Sequence, residues 1–355
     1  MRAVAALLVA WIPAIGGVNW CQPIVIQHSQ VSNVDQSNYV LTISDTDPHL
    51  ATVANGGYVQ NSNGYDIVFA SDSQGQNLLN WEPFEVYNPS TGQIVTHVAV
   101  GTISHLTDNT IYRCAGSTAT TFQGGSASVW PSSYVGVYHM GSGVSLSAAD
   151  ASASANNGTI AGATAVAGKI GGAASITGAT DHILLPEDLG FPLSIEAWVK
   201  VTALTGTQVI AHIPGTYNET FLFIESTGRV EAYFGGSCAL TGSSVFPSAG
   251  WQHIAVTYAG QGGVCALYIN GSQIATGTMI GQAQGGLAPA VLGSAGSTYA
   301  LAGSLDEVRL YAGVLSAPRI ATDYNNQAAP GTFYVPGSWA TAHTAKPGSA
   351  ETFIF

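Results

Sequence analysis

The 355-residue sequence predicts an all-β protein made of two successive β-sandwich units. Three observations carry that prediction. Apolar and polar residues alternate in short runs that recur about every ten residues, with turn signals between them. No segment sustains a long helical period. Charged residues make up only 8% of the chain, against roughly 25% in an average soluble protein. Gly, Ser, Thr and Ala take their place, a composition that favours short strands joined by tight turns.

Residues 1–20 form an apolar segment. Ala3 to Val18 follow a single positive charge at Arg2, the order found in a secretory signal peptide, and Ala14 and Gly16 are small residues suited to a cleavage point. Trp11 and Pro13 interrupt the run, which is shorter than the ~20 residues needed to span a bilayer. Two readings follow: an export signal, or an apolar tail buried against a partner subunit. Residues 21–128 form the first β unit and end in a linker rich in Ser, Thr, Gly and Ala, from Ser117 to Ser128.

Residues 129–330 form the second unit. In Leu193–Val201, Ile195, Ala197, Val199 and Val201 share one face, while Ser194, Glu196, Trp198 and Lys200 take the other. Trp251–Tyr258 alternates similarly. Leu267-Tyr268-Ile269 runs into Asn270-Gly271, and further Asn-Gly pairs at Asn55, Asn63 and Asn157 mark tight turns. One short helix is predicted from Ser316 to Tyr324, with Ser316 as N-cap and Pro318 in the first turn. Residues 331–355 lose the strand pattern but carry Phe333, Tyr334, Trp339, Phe353, Ile354 and Phe355. That aromatic content predicts docking on the chain's own units or on a neighbour.

The net charge is −12, with eight Lys and Arg in all and no basic cluster. A phosphate-binding footprint is missing, which argues against nucleic acid and anionic membranes as partners. The four cysteines, Cys21, Cys114, Cys238 and Cys265, lack metal-ligand spacing and fall two to each half, permitting one disulfide per unit. Cys238 and Cys265 lie in consecutive predicted strands and are the favoured pair, worth about 3–4 kcal/mol if formed. Free buried thiols are the alternative.

Several segments resemble a known family. GKIGGAASITGATDHILLP (Gly168–Pro186), LSIEAWVKV (Leu193–Val201) and WQHIAVTYAGQGGVCALYINGSQIATG (Trp251–Gly277) are similar to strands of the laminin-G-like, concanavalin A-like lectin superfamily. GSLDEVRLYAGVLSAPRIATDYN (Gly303–Asn325) resembles the closing strand and short helix of such modules. The resemblance implies two antiparallel sheets packed as a jelly roll. The first half resembles a bacterial domain of unknown function that precedes such modules, through SNGYDIVFASDSQGQNLLNWEPFEVYNPSTG (Ser62–Gly92) and DNTIYRCAG (Asp108–Gly116). VWPSSYVGVYHMG (Val129–Gly141) resembles the junction between the two.

Catalytic patterns are missing. Hydrolases of this superfamily use an E-x-D-x-E type pattern that puts closely spaced carboxylates on one sheet face. The nearest pair here, Asp306 and Glu307, is adjacent, so its side chains are expected on opposite faces in a structural role. Nine histidines are scattered singly without H-E-x-x-H spacing, and His253 reads as a hydrogen-bonded sheet histidine. Asp66 reads as the cap of a turn. No G-x-S-x-G or phosphate-binding loop occurs. No metal or cofactor is expected. Calcium occurs at sandwich rims in the superfamily, but no acidic cluster specifies it here.

Sugar recognition needs aromatic faces beside amide and carboxylate groups. Tyr217, Asn218 and Glu219 in a predicted loop, and Tyr233 and Phe234 near a strand end, are the candidates. Trp11, Trp339, Phe353 and Phe355 are the candidates for assembly contacts. The expected function is a non-enzymatic structural or adhesion protein displayed on a multi-subunit particle. A phage virion component (capsid decoration, tail or fibre) is favoured, with glycan or host-surface binding as a secondary role. The expected location is then the virion surface or the extracellular space. The alternative is a secreted bacterial polysaccharide-binding protein exported by residues 1–16.

Overall fold

The computed structural model describes residues 17–125, 129–178, 180–186, 192–204, 206–214, 220–234, 238–246, 250–260, 262–278, 289–295 and 299–342. Their architecture is almost wholly antiparallel β. In the first half, one sheet runs Tyr334–Pro336, Trp20–Ile26, Asn109–Ala115, Val68–Ala70, and a second runs Gln36–Thr46, Gln93–Ile103, Asn80–Trp81. Their inward residues, among them Ile24, Leu41, Ile43, Phe69, Trp81, Val98 and Ile111, form one core. Cys21 and Cys114 are direct cross-strand partners joined by a disulfide. Asp66 is fully buried and accepts the backbone N–H groups of Gln60, Asn61 and Gly116, which ties the turn before Val68–Ala70 to the last strand.

The second half is a larger sandwich. Its seven-stranded sheet runs Cys238–Val245, Arg229–Phe234, Thr220–Ile224, Gln208–Ile213, Val291–Leu292, His182–Leu184, Thr159–Ala161. The facing sheet runs Thr164–Ala167, Gly172–Ile176, Gly303–Tyr311, Leu193–Val201, Gln252–Tyr258, Val264–Ile269, Ser272–Thr278, and Tyr134–Tyr138 also pairs with Gly303–Tyr311. A single apolar core fills the space between the sheets. Asn270 and Gly271 both take positive φ, 49° and 74°, in the two-residue turn joining Val264–Ile269 to Ser272–Thr278. That is the mirror-image turn whose twist suits a hairpin.

Four expectations change. The strand Leu193–Val201 is buried on both faces, and of the supposed outer set Ser194, Glu196, Trp198 and Lys200 only Lys200 stays exposed. The reason is the helix, which extends over Ala317–Ala328 and lies between the two sandwiches. Its Gln327 accepts the Trp198 indole N–H at 2.6 Å, and its Asn326 bonds both backbone groups of Thr42. Asp306 and Glu307 do not point to opposite faces. Glu307 has φ of 48° at a register shift opposite Glu196–Trp198, so both carboxyls turn away from the core that takes Leu305, Val308 and Leu310.

The segment after residue 331 keeps a strand pattern over Tyr334–Pro336 and Ala340–Thr341, because both pieces complete the ladder of Trp20–Ile26. Finally, His253 is a sheet histidine whose Nδ1 makes no hydrogen bond. Its ring packs among Trp198 and Tyr324, and burial, followed by the charge of Arg309, lowers its pKa to about 3.

Candidate functional site

The two sheets of the larger sandwich turn very different outer faces outward. That of the seven-stranded sheet is open: among the described residues no helix or second sheet lies over it. Alternation sends Leu222, Ile224, Val230, Ala232 and Leu240 into the core, which leaves Phe223, Glu231, Tyr233 and Thr241 on the outside. Phe223, Glu231 and Thr241 are consecutive partners across three strands. The Thr241 hydroxyl donates to Glu231 Oε1 at 2.8 Å, fixing the carboxylate beside the aromatic residues. Tyr233 is 37% exposed. Glu231 is the one acidic residue in the strands of this sheet.

Of the other glycan-binding candidates, Tyr217, Asn218 and Glu219 and the side chain of Phe234 lie outside the described residues. The same holds for Trp11, Phe353 and Phe355, and for the side chain of Cys238. Cys265 is itself disulfide-bonded. Trp339 packs against the first sandwich: it meets Tyr58 edge-on at 5.5 Å and donates its indole N–H to Asp47 Oδ2 at 2.8 Å.

The outer face of the facing sheet is covered by the helix and the first sandwich, and it holds a dense ionic network. The residue after the strand Asn80–Trp81 is Glu82, and the strand Gln93–Ile103 brings His97; residues 130–139 bring Trp130 and His139; the closing strand brings Glu307 and Arg309. His139 sits between carboxylates, with Nδ1 2.6 Å from Glu307 Oε1 and Nε2 2.9 Å from Glu82 Oε2. His97 is stacked on it at 4.1 Å between ring centres and lies 3.4 Å from each of the same two carboxylates. Arg309 pairs with Glu307 at 2.7 Å and rests over the Trp130 ring, while the Trp130 indole N–H donates to Glu82 Oε1.

Electrostatics sort these groups into two kinds. Burial alone would raise Glu82, but the charge and close contact of His139, and then His97, hold it down at about 2. Burial likewise opposes the charge on Glu307, yet His139, His97 and Arg309 keep it well below the usual carboxylate range. Burial favours neutral His139, and the Glu307 and Glu82 carboxylates outweigh that and raise its pKa well above the ordinary value. Glu85 behaves oppositely. Burial pushes it up to about 8, with the charges of Glu307 and Glu82 adding to the rise against the pull of His139.

A cleft of ≈ 540 Å³ opens beside this network, lined by Glu82, Glu85, His139, Met140 and several serines. The GKIGG turn shapes its neighbourhood. Lys169 and Ile170 donate backbone N–H groups to Asp306 Oδ2, and Gly172 donates to Glu85 Oε1 at 3.0 Å. Gly171 has φ of 50°, and a Cβ there would fall 2.1 Å from Glu85 Oε1, so a bare backbone is what lets the carboxylate approach. The sequence reading missed Glu82, Glu85, His97 and His139. Glu82, Glu85 and His139 fall within the family-like segments; His97 lies outside them and carried no local signal.

Comparison with known proteins places the larger sandwich. Residues 177–321 match the model of the concanavalin A-like lectin/glucanases superfamily, and the C-terminal half is a concanavalin A-like domain. No curated protein matches the chain. Among solved structures, similarity extends to domain 4 of AbnA, a GH43 extracellular arabinanase from Geobacillus stearothermophilus, in complex with arabinotriose. It is 27% identical over 48% of this chain and 88% of that one, with a TM-score of 0.42. The binding domain of Paraclostridial Mosquitocidal Protein 1 is 16% identical over 55% of this chain, with a TM-score of 0.47, and the match spans 52% of that domain. A native heptameric SAP-like pentraxin from Limulus polyphemus is 16% identical over 47% of this chain and 89% of that one, with a TM-score of 0.36.

Proposed function

We propose that the protein is an exported, non-catalytic glycan-binding protein that engages sugar on the open face of its seven-stranded sheet. The observation that carries this reading is Tyr233, an exposed ring beside a carboxylate held by Thr241. Ring faces stack on the apolar face of a sugar while a fixed carboxylate accepts its hydroxyls. Tyr217, Asn218 and Glu219 lie in sequence between two strands of that sheet, Gln208–Ile213 and Thr220–Ile224, and we count them as candidate sugar contacts. The Cys21–Cys114 disulfide supports an oxidising destination.

A narrower reading, display on a particle such as a phage virion, rests on the apolar and aromatic ends. Most of those residues lie outside the described set, and Trp339 packs against its own chain, so export and glycan binding come first.

Binding of the full chain to a panel of immobilised neutral and acidic glycans tests the reading. At least one class is expected to bind, and Tyr233→Ala is expected to weaken it about 10-fold, the effect of losing about 1.4 kcal/mol. Absence of binding to every glycan, or unchanged affinity in Tyr233→Ala, defeats the proposal. Intact-mass measurement of the natural protein separates export, with a start near Gly17, from retention of residues 1–16.

A further inference from the structure

The first sandwich carries a cleft of its own, far along the chain from the open face of the seven-stranded sheet. We propose that this cleft is a second sugar site, at which Trp339, Tyr58 and His49 receive one ring of a neutral glycan, with Asp47 as the residue that positions them. The site does not depend on the open face.

Two distant parts of the chain build it. Asp47 follows the strand Gln36–Thr46 and caps the short turn Pro48–Leu50, accepting the His49 backbone N–H at 2.9 Å. Gly337, Ser338 and Trp339 fall between the tail strands Tyr334–Pro336 and Ala340–Thr341. Gly337 donates its N–H to the Pro23 carbonyl and accepts from Gln22 Nε2, which ties this stretch to the strand Trp20–Ile26. A cleft of ≈ 420 Å³ opens where these segments meet, and Asp47, His49, Tyr58, Ser338 and Trp339 are among its lining residues.

Three rings meet there. Tyr58 and Trp339 stand nearly perpendicular, with 80° between their planes and centres 5.5 Å apart, and so make a corner. His49 adds a third ring, 4.9 Å from Tyr58 and 6.0 Å from Trp339. Trp20 stacks on Tyr58 at 4.4 Å and backs it. Asp47 fixes the corner: its Oδ1 accepts from His49 Nδ1 at 2.9 Å, and its Oδ2 accepts the Trp339 indole N–H at 2.8 Å and Gln22 Nε2 at 3.0 Å. Rings already held in place lose little freedom when a ligand packs against them.

The groups left over select the ligand. A carboxylate only accepts, so His49 carries a proton on Nδ1, and the neutral ring keeps Nε2 as an acceptor on a side chain that is 47% exposed. The hydroxyls of Tyr58 and Ser338 bond nothing among the described residues, and each can donate and accept. An aromatic corner beside such groups suits a neutral sugar, which offers an apolar ring face and a rim of hydroxyls. A cation fits poorly. Asp47 already faces Arg113 at 3.4 Å, and that guanidinium lies 6.0 Å from the centre of the Trp339 ring, where a second cation would meet repulsion. An anion fits no better, because no Lys or Arg lines the cleft and buried Arg113 is paired with Asp45 and Asp47.

The test uses the full chain, titrated by calorimetry with soluble hexasaccharides of glucose, xylose, mannose and arabinose, and with choline as the cationic control. At least one hexasaccharide is expected to bind, and choline is not. By NMR, the Trp339 indole N–H resonance, identified by its loss in Trp339→Phe, should shift as that sugar saturates the chain, and should still shift in Tyr233→Ala. Trp339→Ala should weaken binding about 10-fold. Because Trp339→Ala also touches the docking of the tail, His49→Ala, at an exposed side chain, serves as the second variant and is expected to lose about 3-fold. No binding of any hexasaccharide, choline binding in place of sugar, an unmoved indole resonance, or unchanged affinity in both Trp339→Ala and His49→Ala would each overturn the site. Sugar binding that falls in Tyr233→Ala but not in these two variants rejects this site and leaves the function proposed above standing; the reverse pattern keeps this site and rejects the open face.

Discussion

The two outer faces of the larger sandwich are built by the same alternation rule yet reach opposite ends of the polarity scale of burial. On the seven-stranded sheet, outward residues such as Glu231, Tyr233 and Thr241 remain in contact with solvent. On the facing sheet, outward residues such as Glu196, Trp198, His253, Asp306, Glu307 and Arg309 are all buried. Alternation, interrupted at the register shift beside Glu307, sets which side a residue faces. What covers that side decides whether its charge must be matched. Sequestered charges cost several kcal/mol each unless paired, and the covered face accordingly pairs Glu307 with Arg309 and His139, and Arg319 with Asp323.

Substitutions should expose this contrast most sharply at Glu307. Glu307→Ala strands Arg309 and His139 without their carboxylate and is expected to lower stability by about 3–5 kcal/mol. Urea unfolding at neutral pH measures it; a loss under ~1 kcal/mol would show that the face is wetter than described. Trp198→Ala should cost about 3–5 kcal/mol by the same measurement, since it opens a cavity under the helix and removes the partner of Gln327.

The covered face also predicts a pH response. Burial, and then the charge of Asp323, raise Glu196 from 4.5 to about 8. Between those values the folded chain keeps a proton that the unfolded chain has released. Stability should therefore fall as pH rises through this window, by at most about 1.4 kcal/mol per pH unit. Glu196→Gln should flatten that slope. His253 acts with the opposite sign, and its window overlaps that of Glu196 between pH 4.5 and 6.5, where the two slopes offset each other. With its folded-state pKa lowered from 6.5 to about 3, the unfolded chain holds the extra proton in between, and stability is lost as pH falls below 6.5. Thermal unfolding checks the two signs separately, in the wild type from pH 6.5 to 9 and in Glu196→Gln from pH 6.5 down to 4.

The smallest stability effects belong on the open face. Glu231→Gln and Tyr233→Ala should each change unfolding free energy by no more than about 0.5 kcal/mol, while Tyr233→Ala weakens glycan binding. A large stability loss there would mean that the face is covered after all.

The short strands, the hairpin at Asn270-Gly271, the N-cap at Ser316 and the all-β class were legible in the sequence, because each is written in residues close together along the chain. Period-two alternation, an Asn-Gly turn and a Ser–Pro helix start are local signals with local causes. The concanavalin A-like character of the second half was legible for the same reason, through contiguous strand text. Tertiary structure alone decided three other matters. It buried the polar side of Leu193–Val201, because the helix that covers it arrives more than a hundred residues later. It turned Asp306 and Glu307 to one side, through a register shift that depends on the partner strand. And it brought Glu82, Glu85, His139 and Glu307 to one place from distant segments, where no spacing in the chain records that they meet. Local periodicity sets which side a residue faces except where a bulge intervenes; only packing between elements decides what it faces, and charge clusters are made of the latter.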